Sequence, residues 1–336
     1  MIKENSLPLS VLDLAPITEG GSPGESLRHS VELAQLAETA GYKRYWVAEH
    51  HNIKDVACAA TGIVISHIAA HTQKIRVGSG GIMLPNHAPY MVAEHFGTLA
   101  ALHPGRVDLG LGRAPGTDYA TAQALRRQAS VHDDEFPRMF EELRHFLAPA
   151  KPGQSVTAIP GAGADLQLWL LGSSLYGARL AAHCGLPFVF AAHFAPAQME
   201  DALEIYRHEF RPSQQLQAPY VIVCVNATVA DTKEAAERLA TTEYQKFLGL
   251  VRGKRFLLPA PVPTMAGRWD QREELHVRHM LQESIHGDPV NAKARLQDLL
   301  KRTRADEIMV NSWIYDHQAR LDSYRLLAKI ADEISV

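Results

Sequence analysis

Four short stretches hold the residue types that chemistry needs: Glu49-His50-His51, Ser79-Gly80-Gly81, Gly110-Leu111-Gly112-Arg113 and Gly172-Ser173-Ser174. His50 and His51 are the candidate catalytic residues, because an imidazole gains and loses a proton near working pH. Glu49 beside them completes an acid/base pair or contributes to a metal site. For a metal the arrangement is poor. Adjacent histidines at a strand end point to opposite faces, and the chain has neither HxH nor HExxH spacing. Free amides at a helix start, with the hydroxyls of Ser173 and Ser174, make a cradle for phosphate, although a serine there equally caps the helix. Tyr176, two residues on, adds a hydroxyl or packs. Arg113 is a permanent planar cation suited to phosphate, or to a surface salt bridge. Ser79, Gly80 and Gly81 offer bare backbone to a planar ring, or a bend at a sheet rim.

Those stretches must be held by the elements around them. Apolar runs at 9–14, 44–48, 75–78, 106–109, 167–171, 187–190, 220–225 and 307–310 read as strands. Amphipathic helices at 22–40, 60–71, 90–102, 176–184, 196–210, 232–248, 288–302 and 317–334 alternate with them. Eight strands with interleaved helices predict an α/β fold, a (β/α)8 TIM barrel, and 336 residues suit one such barrel. Function in that fold sits at the strand C-termini, so the four stretches converge on one face. The alternation breaks at 113–165, which holds helices at 121–128 and 135–147, and again at 258–287. Both read as insertions on the C-terminal face of one domain spanning 1–336.

Composition narrows the partners. Thirty-four basic and 37 acidic residues leave a net charge of −3 with no like-charge block, which argues against nucleic acid or a membrane surface as partner. Cys58, Cys184 and Cys224 are far apart and predict reduced thiols. Residues 1–7 lack an apolar leader, and a cytoplasmic location is expected by elimination.

Longer motifs then carry a resemblance. YWVAEHHN at 45–52, RVGSGGIMLPNHAPYMVAEHFGTLAALHPGRVDLGLGRAPGTD at 76–118, LLGSSLYGARLAAHCGLPFVFAAHF at 170–194 and ADEIMVNSWIYDHQARL at 305–321 closely resemble the bacterial luciferase-like flavin-dependent monooxygenases. The match is nearest to their non-luminescent branch of undefined substrate. The resemblance implies a homodimeric barrel that uses reduced FMN, supplied by a separate NAD(P)H-dependent flavin reductase, with dioxygen and a small organic substrate. It implies the phosphate at Gly172, Ser173 and Ser174 with Tyr176 helping, Arg113 against the flavin, and a non-prolyl cis peptide at Gly80-Gly81 under the rings. It sets Glu49 at the flavin edge and His50 at the catalytic histidine, with His51 adjacent. Two departures matter. Ser173 stands where the luciferase motif has glutamate, and Gly112 where some luciferases have a reactive cysteine, so light emission from aldehydes is not implied. A deazaflavin-dependent oxidoreductase of the same superfamily and a non-catalytic flavin-binding protein are the alternatives, with a metal-dependent barrel hydrolase behind them.

Overall fold

Runs of branched and aromatic residues form parallel strands within residues 6–114, 118–125 and 135–335, the part of the chain that the computed structural model describes. They are β1 (Leu9–Asp13), β2 (Arg44–Val47), β3 (Arg76–Met83), β4 (Val107–Gly112), β5 (Gln167–Gly172), β6 (Phe188–Ala191), β7 (Val221–Val229), β8 (Ile285–Gly287) and β9 (Glu307–Asn311). Each pairs parallel to its neighbours, and β7–β9 and β9–β1 pairing closes the ring, giving the eight-stranded TIM barrel. β8 stands outside the ring and pairs only alongside the C-terminal end of β7. All nine residues of β7 are buried, as a parallel strand covered on both faces requires.

Helices α1 (Pro23–Ala40), α2 (Thr61–Ala70), α3 (Pro89–Leu102), α4 (Tyr119–Leu125), α5 (Glu135–Leu147), α6 (Leu175–Cys184), α7 (Met199–Glu209), α8 (Lys233–Val251), α9 (Gln271–Met280), α10 (Pro289–Thr303) and α11 (His317–Ala331) follow the strands. Local chemistry sets their ends. Ser22 accepts the Glu25 amide and Pro23 opens α1, while Gly41, at φ 87°, closes it by donating to the Ala37 and Glu38 carbonyls.

The structure departs from expectation at three places. β3 does not stop at Gly78 but runs to Met83, with its register shifting between Ser79 and Ile82. Segment 258–287 is not wholly irregular, since it contains α9 and β8. A capping box of Asp270 and Glu273 starts that helix, and the D-x-x-E spacing was the available signal. Within 113–165, α5 is not an excursion above the barrel. It buries Phe136, Met139, Phe140, Leu143 and Leu147 and packs edge-on to α3 through Tyr90 and Phe146, 5.1 Å between ring centres. It is therefore the crossover helix between β4 and β5. The 126–128 end of the expected helix 121–128, and Pro115-Gly116, lie outside the described residues.

The N-terminal mouth of the barrel is plugged by charge. Arg44, at 2% exposure, donates Nε and Nη2 to Glu307 at 2.8 and 3.1 Å and Nη1 to Asp108 at 2.8 Å. Asp108 also accepts from Trp46 Nε1 and from the Arg76 guanidinium. Glu307 accepts from Ser10 and Tyr220. The Arg44 guanidinium lies 4.3 Å from the centre of the Trp169 ring. Every charge in this plug is answered by another, so removing one leaves the rest uncompensated. Arg44→Met should lower stability by about 3 kcal/mol or more in denaturant unfolding. Arg278→Ala, which breaks an exposed pair with Glu274, should change it by less than about 0.5 kcal/mol. Equal effects would show that the plug does not hold the barrel together.

Candidate active site

The alternation of side chains along β2 and its extension decides which of three adjacent residues reaches the barrel interior. Arg44 and Trp46 point inward, so Ala48 and His50 follow them, and both line a cavity at the C-terminal mouth. Glu49 points the other way. It is 1% exposed and accepts from His51 Nε2 at 2.8 Å, His87 Nε2 at 2.8 Å and the Met83 amide at 3.0 Å. Burial alone would raise its carboxyl, but those donors hold it below the ordinary carboxylate range. Glu49 and His51 thus brace the strand ends behind the cavity rather than lining it. Ser79 is similar: its hydroxyl bridges to Gly110, donating to the carbonyl at 2.8 Å and accepting the amide at 3.0 Å.

The other residues expected from sequence do meet. Gly80, Gly81, Arg113, Gly172, Ser173, Ser174 and Tyr176 share with His50 the wall of one cavity of about 360 Å³. Its floor is apolar, made by Leu12, Val189, Cys224 and Met309. The Gly80–Gly81 peptide is cis. The barrel's own packing requires both glycines. A Cβ on Gly80 would come within 2.5 Å of Leu12, and one on Gly81 within 2.8 Å of the Gly110 carbonyl.

Part of this wall is the start of α6. Ser174 is its N-cap in extended conformation, yet its hydroxyl makes no capping bond. The first-turn amides and two hydroxyls are therefore available to an anion, with the helix dipole favouring negative charge. Arg113 lies over the Tyr176 ring at 4.5 Å, which fixes a cation beside the same helix start. A planar, phosphate-bearing cofactor fits this shape: an anion cradle at one end, an apolar floor and bare backbone at the other. Two buried imidazoles complete the fit. Nδ1 of His50 and Nδ1 of His193 are buried and make no hydrogen bond. Burial lowers the His50 pKa and the Lys246 ammonium lowers it further. Burial pushes His193 down to about 3, so both rings are neutral at neutral pH.

Leu14, His50, His193 and Phe194 also face a second chamber of about 270 Å³ on the other side. Three loops roof it. The Ile17 amide donates to the Asp55 carbonyl, the Leu258 amide to the Ile17 carbonyl, and the Glu19 amide to the Leu258 carbonyl, at 2.8–2.9 Å. Lys246 of α8 pairs with Asp55 under this roof and sits 4.0 Å from the Trp313 ring centre.

His193, Lys246, Asp55 and Trp313 were not expected from sequence. His193 lies two residues beyond β6, on the inward parity of Val189 and Ala191, and that parity was the signal available. The other three come from separate loops and helices, which no local spacing links. Among the described residues no three His, Cys, Asp or Glu side chains converge as a metal site, and no helix is long and apolar enough to cross a membrane.

A luciferase-like monooxygenase of Escherichia coli (strain K12) is 49% identical to this chain, with 98% of this chain and 99% of that one aligned. The crystal structure of apo-MsnO8 matches with a TM-score of 0.87 at 37% identity, over 98% of this chain and 100% of the other. At 15% identity the likeness is one of fold alone: the oxygenating constituent of 3,6-diketocamphane monooxygenase from Pseudomonas putida, solved with FMN, gives a TM-score of 0.71 over 98% of each chain. Enzymes dependent on F420 share the fold too. The family model of luciferase-like monooxygenases matches residues 7–309, and with a closed barrel whose C-terminal mouth holds the anion cradle and His50, the chain belongs to the luciferase-like monooxygenase family.

Proposed function

We propose that the protein is a cytoplasmic, homodimeric monooxygenase that takes reduced FMN from a separate NAD(P)H-dependent flavin reductase and uses dioxygen to oxidise a small organic substrate. One observation carries this reading. The helix-start amides with Ser173 and Ser174, the Arg113 cation, the Gly80-Gly81 backbone and the neutral His50 all open into a single cavity.

Bound reduced flavin supplies the electrons that activate dioxygen. The chain's own residues do the rest. Ser173, Ser174 and the α6 amides would hold the phosphate, with Tyr176 keeping Arg113 in place beside it. Gly80 and Gly81 would support the ring system. Leu12, Val189 and Met309 would give a bound flavin an apolar floor that excludes water, which would divert the oxidation. His50, with an unpartnered Nδ1, accepts or returns a proton there. Glu49 and His51 fix the strand end that aims it.

Titration with FMN and, separately, with the deazaflavin F420 should show FMN bound more tightly, by absorbance and fluorescence. Tighter F420 binding would transfer the protein to hydride chemistry. Ser174→Ala should weaken FMN about tenfold, the scale of one charge-assisted hydrogen bond. Unaltered affinity would put the phosphate elsewhere.

With a reductase supplied, substrate-dependent dioxygen uptake should fall about 100-fold in His50→Ala while FMN binding persists. Uptake that never depends on any substrate would leave a flavin-binding protein without catalysis.

The pH profile follows from the groups facing His50. Burial and Lys246 lower its pKa, whereas Glu49 and Asp55 raise it, and the net shift is downward. The proton-accepting form therefore persists below the ordinary histidine value of about 6.5. The acid limb of kcat/KM should fall below that pH, and Lys246→Met should move it upward. A limb unmoved by Lys246→Met would remove His50 as its source.

A further inference from the structure

The second chamber has a charge pattern that the flavin cavity does not use. Its walls are apolar, formed by Ile53, Phe247, Leu250 and Met280, and its inner end is the partition of Leu14, His50, His193 and Phe194. Among the described residues three cations line it, Lys246, Lys254 and Arg255, against a single carboxylate, Asp55. Asp55 is spent on Lys246. Lys254 and Arg255 lie exposed at the rim, and among the described residues neither forms an ion pair. The Arg255 side chain donates to the Asn52 carbonyl at 3.4 Å. Arg255 is also near enough to Lys246 for the two charges to oppose each other. Like charges held at one mouth lower the potential energy of an anion placed between them, and apolar walls behind that mouth favour an apolar tail.

We infer that this chamber takes a small amphipathic organic acid, with its anionic group at Lys254 and Arg255 and its apolar end against Leu14, His50 and His193. The assignment of that acid as the substrate rests on the flavin occupying the neighbouring cavity. The orientation follows from the two ends of the chamber. The desolvated partition would have to strip water from a charge, and the rim does not. The carbon or heteroatom to be oxidised is then the end remote from the acid, because only that end meets the partition shared with the flavin cavity.

Isothermal titration with 4-phenylbutyrate, its neutral counterpart 4-phenylbutan-1-ol, and inorganic phosphate tests this on the full chain. The acid should bind about tenfold more tightly than the alcohol, and phosphate should not displace it. The Lys254→Ala/Arg255→Ala variant, altered only at exposed positions, should abolish that discrimination while leaving FMN affinity unchanged. Equal binding of acid and alcohol, displacement by phosphate, or discrimination that survives the double substitution would each overturn the inference. FMN titration of the same samples keeps the two readings apart. Failure to bind FMN with the acid preference intact would sink the flavin assignment and leave this chamber an organic-anion site.

Discussion

A guanidinium sealed inside a β-barrel must find carboxylates there or the barrel does not close, and Arg44 finds two. Glu307 on β9 and Asp108 on β4 both reach it, and Ser10, Trp46, Arg76 and Tyr220 bring in β1, β2, β3 and the residue before β7. The desolvation cost of such a cluster is large, and it is met only because nearly every donor and acceptor is matched. The plug occupies the N-terminal half of the interior. The C-terminal half is then free to stay hollow, with Leu12, Val189, Cys224 and Met309 lying between plug and cavity as its floor.

That division also sets the electrostatics at the mouth. Charges at the N-terminal end are mutually satisfied, so they add little field to the hollow above them. The groups that act there are nearby ones: the α6 dipole and Arg113 at the cradle, and Lys246, Glu49 and Asp55 around His50. His50 and His193 sit in the apolar partition between two chambers, where a protonated ring would lose most of its hydration. Both rings are therefore neutral, and each faces both chambers.

Much of the barrel was legible because its strands are short, apolar and bounded by glycine and proline, and because a residue at a strand end inherits the face of those before it. His50 follows from that rule, and Glu49 and His51 fall outside the cavity by the same rule. The Gly172-Ser173-Ser174 turn was legible for another reason: a strand, a small-residue turn and a helix start make an anion cradle with few other parts. β3 was cut short because two glycines read as a turn, whereas their missing side chains let β3 and β4 approach closely enough to continue the ladder. The second chamber was not legible at all. Asp55, Lys246, Arg255 and Trp313 are brought together by tertiary packing of four segments, and no periodicity within any one of them announces the others.

The three roofing loops are fastened to one another. Main-chain bonds fasten the loop after β1 to residue 55 on one side and to residue 258 on the other, so none of the three swings alone without breaking pairing. A guest entering beneath them meets one panel joined by main-chain bonds, not independent flaps. The same panel carries Asp55, the counter-ion of the Lys246 ammonium, which adds to burial in lowering the His50 pKa. The roof and the charge beside the imidazole are in this way joined through one carboxylate.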